Sequence, residues 1–454
     1  MSDESGKLGA LECIMITVGG MVGCAIFSLS GLTYSIAGPA VILSWIIGGA
    51  ILLIYGLNCA ELVTIYPTAS GGIFVFPYET LGKTETAKKG WGWFAAWSLM
   101  NVNIFGAGFA AIYLAIFLGN SFPALSSQVV LIAVIATIIL GVLCCFNITV
   151  AGAANTIMTI ILICILVLFG IMCAASGSFS AANFTPFFTR GVGGGTGFIT
   201  AIPVAMLAYN AIAGTAFLAT QIKNAKRTIP RVMVIAMIIT IVIYLFGIIG
   251  VIGTMPVEML TAADTSWTQY AAMFAVCSFF MQQWPWMAYL ITFAGVFALA
   301  TTMLVLMMIG GWTLQAAAEK GLLPGVLAKV NPKTGTPTLA MILVTIAVVI
   351  CSCFPNFVNE ITNCGAICSA VMVVMIAITL LKARKQHSYK EGDFRVAGGS
   401  VLPILSIILI VFFIIPGVFQ KWSYWGMAGI WYIAGIIIFF ICKASVKDNK
   451  SSAK

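Results

Sequence analysis

Apolar residues run along this chain in long blocks, and short polar or charged stretches separate them. An α-helix needs about 20 apolar residues to cross the hydrocarbon core of a bilayer, and the blocks have about this length. The pattern predicts twelve spans, at approximately 11–37, 40–66, 93–118, 129–145, 153–173, 198–220, 232–253, 286–314, 338–353, 359–381, 402–419 and 425–442. It therefore predicts an all-α integral membrane protein with twelve transmembrane helices and both termini on one side.

Composition excludes the soluble classes of protein. Of the 454 residues, 61% are apolar and only 8% are charged, whereas about a quarter of a soluble domain is charged. We therefore exclude a nucleic-acid binder, a secreted disulfide scaffold and a soluble enzyme. The 13 cysteines lie mostly inside apolar blocks without metal-ligand spacing, so we expect no metal site and no cofactor. The first block lacks the flanks of a cleaved signal peptide, so we expect it to be retained.

The positions of the basic residues predict the orientation. If the N-terminus is cytoplasmic, 20 of the 22 Lys and Arg residues fall inside, and only Arg190 and Lys421 fall outside. Cytoplasmic loops of membrane proteins carry such an excess of basic residues. Both termini are therefore predicted to be cytoplasmic.

Two spans contain an interruption in corresponding places. The first has the run Gly19–Ala25 and the sixth has Ala208–Gly214, each at mid-membrane depth. Helices five spans apart run in opposite directions, as an inverted repeat of five plus five helices requires. Unwound backbone there exposes amides that can bind an anion and carbonyls that can bind a cation. Gly19 and Gly23 also form a G-x-x-x-G pair, so close helix packing stays open as the alternative.

These features divide the chain into six parts. The first repeat occupies 1–173, an extracellular linker 174–197, the second repeat 198–381, a cytoplasmic loop 382–401, helices 11 and 12 residues 402–442, and a cytoplasmic tail 443–454. The run Gly191–Gly197 predicts a flexible linker. Residues 254–285 are predicted to form an outer loop with a short helix around Pro256–Leu260.

Five segments resemble the amino acid–polyamine–organocation permeases. They are Gly23–Phe27; Glu61-Leu62 with Tyr66–Gly72; Ile222–Pro230; Ala318–Pro324 with Gly335–Pro337; and Phe394–Val396. The resemblance implies the leucine-transporter-like fold, in which broken helices 1 and 6 hold the substrate and helices 3 and 8 support them. It also implies a bacterial inner membrane.

The resemblance implies the substrate-binding residues as well. They are Gly20, Val22, Gly23, Cys24 and Ala25 in helix 1, Asn103 in helix 3, and Ala208, Tyr209, Asn210, Ala211 and Ala213 in helix 6. The family usually has Gly-small-Gly where this chain ends in Ala25, which predicts a slightly smaller pocket. Many relatives have an acid where Asn210 and Ala213 stand, so a zwitterion or small amine fits better than a dication.

Several roles stay open between two interpretations. Asn103, or its neighbour Asn101, either contacts substrate or forms an interhelical hydrogen bond. Tyr209 either closes over the substrate or packs in the core. Glu61 either forms a structural bond or relays a proton.

Coupling is the least determined property. In some relatives the ammonium group of a Lys in helix 5 occupies the position where sodium binds in other proteins of this fold. In this chain no Lys lies between Asn155 and Cys173. Thr301 and Thr302 could bind sodium with carbonyls of helix 1, although a mid-helix Thr more often bonds its own backbone. His387 is expected to be a solvated loop residue.

The predicted function is secondary transport of an amino acid by alternating access, as a permease or exchanger. An amine–amino acid exchanger and a sodium symporter are the alternatives within this class. The rival outside this class is a membrane-embedded enzyme or sensor. An enzyme is disfavoured because the spans do not cluster His, Asp, Glu or Cys around a base, whereas the sequence leaves a sensor open. The expected partners are a small-molecule substrate and the lipid bilayer, without nucleic acid. The sequence does not decide between a monomer and a homodimer.

Overall fold

A computed structural model describes residues 8–67, 72–146, 148–217, 222–261, 272–389, 393–418 and 422–451. In these ranges the regular structure is helical, with one isolated bridge between Leu8 and Ile222. The helices are α1 (Ala10–Met21), α2 (Cys24–Ser28), α3 (Ser30–Ala37), α4 (Val41–Ile65), α5 (Val75–Leu81), α6 (Glu85–Ser121), α7 (Val129–Cys144), α8 (Ile148–Ala175), α9 (Gly197–Leu207), α10 (Gly214–Phe217), α11 (Ala225–Thr254), α12 (Val257–Thr261), α13 (Ala272–Phe280), α14 (Trp286–Glu319), α15 (Thr338–Ser352), α16 (Val358–Gln386), α17 (Val401–Val418) and α18 (Trp422–Ser451).

The helices have the lengths and surfaces of a multi-pass membrane protein. Among the described residues, ten helical segments are long and apolar enough to cross a bilayer, and Thr338–Ser352 and Val401–Phe413 are shorter apolar helices. The outer helices expose large apolar side chains, for example Leu131, Ile139 and Val142 on α7. Such a surface is stable only against lipid.

Several helices extend beyond the predicted spans. We predicted starts at 93 and 232, but α6 begins at Glu85 and α11 at Ala225; α16 continues to Gln386 and α18 to Ser451. The predicted bounds were wrong because hydropathy marks only the apolar part of a helix, whereas charged turns continue it into the interface. Lys7, Lys390, Lys421 and the motif residues 68–71 lie outside the described residues.

The interior is built around α14, which packs against α6, α8 and α15. The first helix α1 packs against α8, α11 and α14. The interrupted first helix thus lies between central helices and not at the lipid surface.

A hydrogen bond from the amide of Ala87 to Thr84 Oγ1 (3.3 Å) caps the start of α6.

The glycine-rich run before α9 is packed, and its interpretation as a flexible linker was wrong. The amides of Val192 and Gly193 donate to the carbonyls of Ser35 (3.0 Å) and Ile36 (2.9 Å). A Cβ on Gly191 would overlap neighbouring backbone, so glycine is needed there for close approach. Beyond this run, the predicted short helix is present as α12.

Candidate functional site

The first helix is interrupted at the predicted place. Regular helix ends at Met21, and Val22 (φ −73°, ψ 38°) and Gly23 (φ −91°, ψ −127°) leave the helical region. Helix resumes at Cys24, and Leu29, with φ −108° and ψ −16°, keeps α2 nearly continuous with α3. A half-helix therefore starts beside the break, and its first amides lack partners within the helix.

The second interruption has a different local form. Regular helix α9 ends at Leu207, where Ala208 and Tyr209 form a turn and Asn210–Ala213 a 3-10 segment. The amides of Ala208 and Tyr209 donate to carbonyls three residues earlier, at 3.1 and 3.0 Å. The chain is therefore tightened into a 3-10 turn before α10 begins.

Tyr244 of α11 connects the two interruptions. Its buried hydroxyl donates to the carbonyl of Met21, at the end of α1, and to that of Ala208 at 3.2 Å. The ring packs edge-on against Trp45 and Tyr209. Tyr244 could not be predicted as a site residue because a Tyr in an apolar helix does not indicate which groups it contacts.

Gly23 is both a break residue and a close-packing residue. A Cβ placed on it would overlap the hydroxyl of Thr302 and lie 3.0 Å from the carbonyl oxygen of Ala298. A Cβ on Gly19 would overlap the hydroxyl of Thr159 on α8. The two interpretations of the glycine run are therefore compatible, because the helix unwinds where it meets α14.

A cavity of about 110 Å³ lies between the two breaks. It is well below the roughly 300–1,000 Å³ of pockets for drug-sized ligands, so it suits a small substrate. Its lining consists of Gly20, Met21, Ala25, Leu29, Val102, Phe105, Gly106, Phe109, Leu207, Ala208, Asn210, Ala211, Thr302, Leu306, Ile361, Gly365 and Ala366. None of these lining residues is charged, and only Asn210 and Thr302 bring polar side chains.

The structure brings together some of the predicted substrate residues. Gly20, Ala25, Ala208, Asn210 and Ala211 line the cavity. The amide oxygen of Asn210 accepts a hydrogen bond from Ser369 Oγ at 2.8 Å. This bond fixes the orientation of the one lining amide.

Other predicted residues lie outside the cavity lining. Val22, Gly23 and Ala213 lie within two residues of lining residues in the chain but are not among them, and the side chain of Cys24 is not described. The hydroxyl of Tyr209 donates to the carbonyl of Trp45 at 3.0 Å, so in this conformation Tyr209 packs in the core.

The two helix-3 asparagines are also not among the residues that line the cavity. Asn103 is buried, and its Nδ2 has no hydrogen-bond partner among the described residues. Asn101 donates to the thiol of Cys364 on α16 at 3.3 Å. Asn101 thus forms an interhelical bond, and a substrate contact by Asn103 stays a prediction.

Sequence analysis missed the walls that α6 and α16 contribute. The four residues from α6 are Val102, Phe105, Gly106 and Phe109, at the i, i+3, i+4, i+7 spacing of one helix face. Neighbouring faces of α6 are also apolar. The spacing therefore did not distinguish a face that lines a cavity from a face that contacts lipid or packs in the core.

The threonines proposed for sodium bond to backbone. Thr301 Oγ1 lies 3.0 Å from the carbonyl oxygen of Gly19 and 2.8 Å from that of Ala298, and Thr302 Oγ1 lies 3.1 Å from the latter. On helix 5, Asn155 Nδ2 donates to the carbonyl of Met15 at 3.3 Å. Polar groups of α8 and α14 therefore approach α1 from two sides, without a Lys.

Glu61 is the centre of a buried polar network. Its carboxylate pairs with Arg384 (Nη2 to Oε2 2.6 Å, Nε to Oε1 2.7 Å) and accepts from the Val396 amide at 2.7 Å. The hydroxyl of Tyr389 also donates to it. Burial, and then the Glu61 carboxylate, raise the pKa of Tyr389 to about 12. This geometry supports the structural interpretation of Glu61, which joins α4, α16 and the segment before α17.

His387 follows α16 and is less solvated than we expected. It is partly buried, and its Nε2 lies 3.6 Å from Oδ2 of Asp393, a carboxylate that also pairs with Lys226 at 3.1 Å. The expectation of a solvated loop residue was wrong because residues 393–396 fold back over the end of α16.

Interrupted helices around a small cavity, in a multi-pass helical protein, define a membrane transport protein. Residues 8–442 match the model of the amino acid permease family. The chain therefore belongs to this family, within the amino acid–polyamine–organocation superfamily, and is a transporter and not an enzyme.

Similar proteins cover almost the whole chain. A branched-chain amino acid permease, BcaP, of Bacillus subtilis (strain 168) is 25% identical over 96% of this chain and 92% of its own length. BcaP of Lactococcus lactis subsp. cremoris (strain MG1363) is 25% identical over 94% and 92%. An aspartate-proton symporter of B. subtilis is 26% identical over 96% and 82%.

Proposed function

We propose that this protein exchanges neutral amino acids with apolar side chains across a bacterial cytoplasmic membrane by alternating access. The proposed architecture is the twelve-helix, five-plus-five inverted repeat with broken helices 1 and 6 and both termini inside. The observation that carries the proposal is the small cavity between the two breaks, whose lining has no charged side chain.

The zwitterionic part of the substrate matches the breaks. The amides of Gly23, Cys24 and Ala25 stand at the start of a half-helix, where free N–H groups and the helix dipole favour a carboxylate. Carbonyls at the ends of α1 and α9 are suited to the ammonium group. An amino acid would therefore span the two interruptions with its charged groups.

The side chain of the substrate would contact the apolar wall. Phe105, Phe109 and Ile361 line the cavity, and none of its lining residues is charged, so a charged side chain would be buried there without a partner in the lining, at high cost. Two relatives are named branched-chain amino acid permeases, which supports this class, whereas another is named an aspartate-proton symporter. The charge-free wall favours the former.

Exchange is the mode that the described residues support. Proton coupling needs a group whose protonation changes during the cycle, and Glu61 is held by Arg384. Exchange should therefore run without sodium, and Thr301→Ala with Thr302→Ala should leave it sodium-independent. The protein would instead be a symporter if uptake into empty vesicles requires a sodium gradient and if this double variant loses that uptake.

Counterflow in proteoliposomes tests the substrate class. Vesicles preloaded with unlabelled leucine should take up labelled leucine, and valine or isoleucine should compete, whereas arginine and aspartate should not. Leucine methyl ester should compete at least tenfold less well, because a hydrogen bond to a charged group contributes about 1.5–3 kcal/mol. Equal competition by ester and acid would contradict the carboxylate assignment and favour an amine exchanger.

A further inference from the structure

A groove of about 560 Å³ lies at the start of α11, far along the helix from the substrate cavity. It is lined by the basic residues Lys226, Arg227 and Arg231 and by the apolar side chains of Val234, Ile235 and Phe394. Phe394 comes from the segment before α17. The groove therefore combines positive charge with an apolar wall.

Two of the three basic residues have no ion-pair partner among the described residues. Lys226 pairs with Asp393 at 3.1 Å, and His387 Nε2 lies 3.6 Å from the same carboxylate. Arg227 and Arg231 are exposed, and in the described part of the chain their side chains have no hydrogen bond or ion pair. Since they are four residues apart, they lie on the same helix face. Among the described residues, the groove thus offers an anion two guanidinium groups that have no counter-ion.

The same face continues as a lipid-facing stripe. Ile235, Ile238 and Val242 follow Arg231 at helical spacing and are 43%, 55% and 58% exposed. From Arg231 to Val242 the helix rises about 16 Å at 1.5 Å per residue, which is close to half of a roughly 30 Å hydrocarbon core. The stripe therefore has the length of one leaflet, with cations at its interfacial end.

We propose that this groove binds an anionic phospholipid. Its phosphate is held by Arg227 and Arg231, whose planar guanidinium groups bind phosphate oxygens in pairs. One acyl chain lies along the stripe of α11, and Phe394 covers the glycerol end. A free anion would use the arginines alone, whereas a phospholipid explains both the arginines and the apolar face that continues from them.

The test compares lipid binding by three purified forms. The first is the unmodified protein, the second carries Arg227→Gln with Arg231→Gln, and the third carries Lys329→Gln with Lys333→Gln. The third is a matched control, because these two lysines are exposed on the same predicted side and it loses the same charge. Native mass spectrometry and thermal unfolding in detergent are measured against phosphatidylglycerol, phosphatidylcholine and inorganic phosphate.

We expect phosphatidylglycerol to bind and stabilise the unmodified protein and the lysine control. Each basic residue at an anionic surface changes affinity about fivefold. The arginine double variant should therefore bind phosphatidylglycerol roughly 25-fold more weakly, while phosphatidylcholine should bind all three forms alike.

Three outcomes would overturn the proposal. They are equal phosphatidylglycerol affinity in the arginine variant, an equal loss in the lysine control, and stabilisation by phosphate alone that matches the lipid. If the glutamine double variant does not insert or fold, the single variants Arg227→Gln and Arg231→Gln are measured instead, and each should bind phosphatidylglycerol about fivefold more weakly. Unchanged affinity in both single variants would also refute the site.

Discussion

Glu61→Gln is expected to lower the free energy of unfolding by about 3–5 kcal/mol, the usual cost of breaking a buried ion pair. Glu61 is 0% exposed, and the side chain of Arg384 is 7% exposed. The substitution keeps the shape of the side chain but leaves the guanidinium without a counter-ion. Since the neutral amide also accepts the donated hydrogen bonds poorly, the loss should fall at the upper part of this range.

A double-mutant cycle separates the interaction energy of the Glu61–Arg384 pair from the energy that each side chain has with its other neighbours. Glu61→Gln with Arg384→Gln removes both charges, so it should be more stable than Glu61→Gln alone. The matched control is Glu79→Gln, which removes one partner of the half-exposed pair with Lys320 (2.7 Å). It should cost no more than about 1 kcal/mol.

The measurements are unfolding in detergent and leucine counterflow below the unfolding temperature of each variant. Counterflow per folded molecule should survive Glu61→Gln, because exchange does not require this carboxylate to titrate. The reasoning is refuted if Glu61→Gln unfolds like the unmodified protein while transport disappears. Glu61 would then act in the transport cycle itself.

Three further predictions address the breaks and the outer loop. Tyr244→Phe should raise the KM for counterflow and lower stability by about 1–3 kcal/mol, because buried carbonyls lose their donor; an unchanged KM would contradict the bridging role. Gly23→Leu should abolish transport and lower the unfolding temperature, whereas Gly90→Ala, where a Cβ meets open space, should do neither. The pKa of Glu258 is lowered chiefly by its hydrogen bonds with Arg190. The pair therefore stabilises the folded protein fully at a pH above the ordinary pKa of Glu. This stabilisation is lost as the pH falls through the lowered pKa. The difference in unfolding temperature between unmodified protein and Glu258→Gln should therefore shrink below about pH 4.5; a difference that grows there would contradict the ion pair.

The features that could be predicted from sequence are those encoded locally. The interruption at Gly23 was predicted because glycines inside an apolar block weaken a helix, and the second one because its place mirrors the first. Neither inference needed knowledge of neighbours. The predicted helix ends, such as residue 232 for α11, failed because basic turns such as Lys226–Arg231 are helical without being apolar.

Contacts between distant residues could not be predicted in this way. Glu61 and Arg384 are 323 residues apart, and only the folded chain brings them together. In the same way, the face of α6 with Phe105 and Phe109 could not be identified from the sequence as the wall of the cavity, because a central helix is apolar on several sides. A polar group buried in an apolar block signals that a partner exists but does not identify it.

The hydroxyl of Tyr244 has one proton and two carbonyl acceptors, which belong to different halves of the proposed repeat. It can bond one of them at full strength only by weakening its bond to the other. A substrate ammonium that donates to one carbonyl would weaken the tyrosine's bond to it, and the bond to the second carbonyl would then strengthen. Occupancy at one break is thereby expected to stiffen the other through a single side chain.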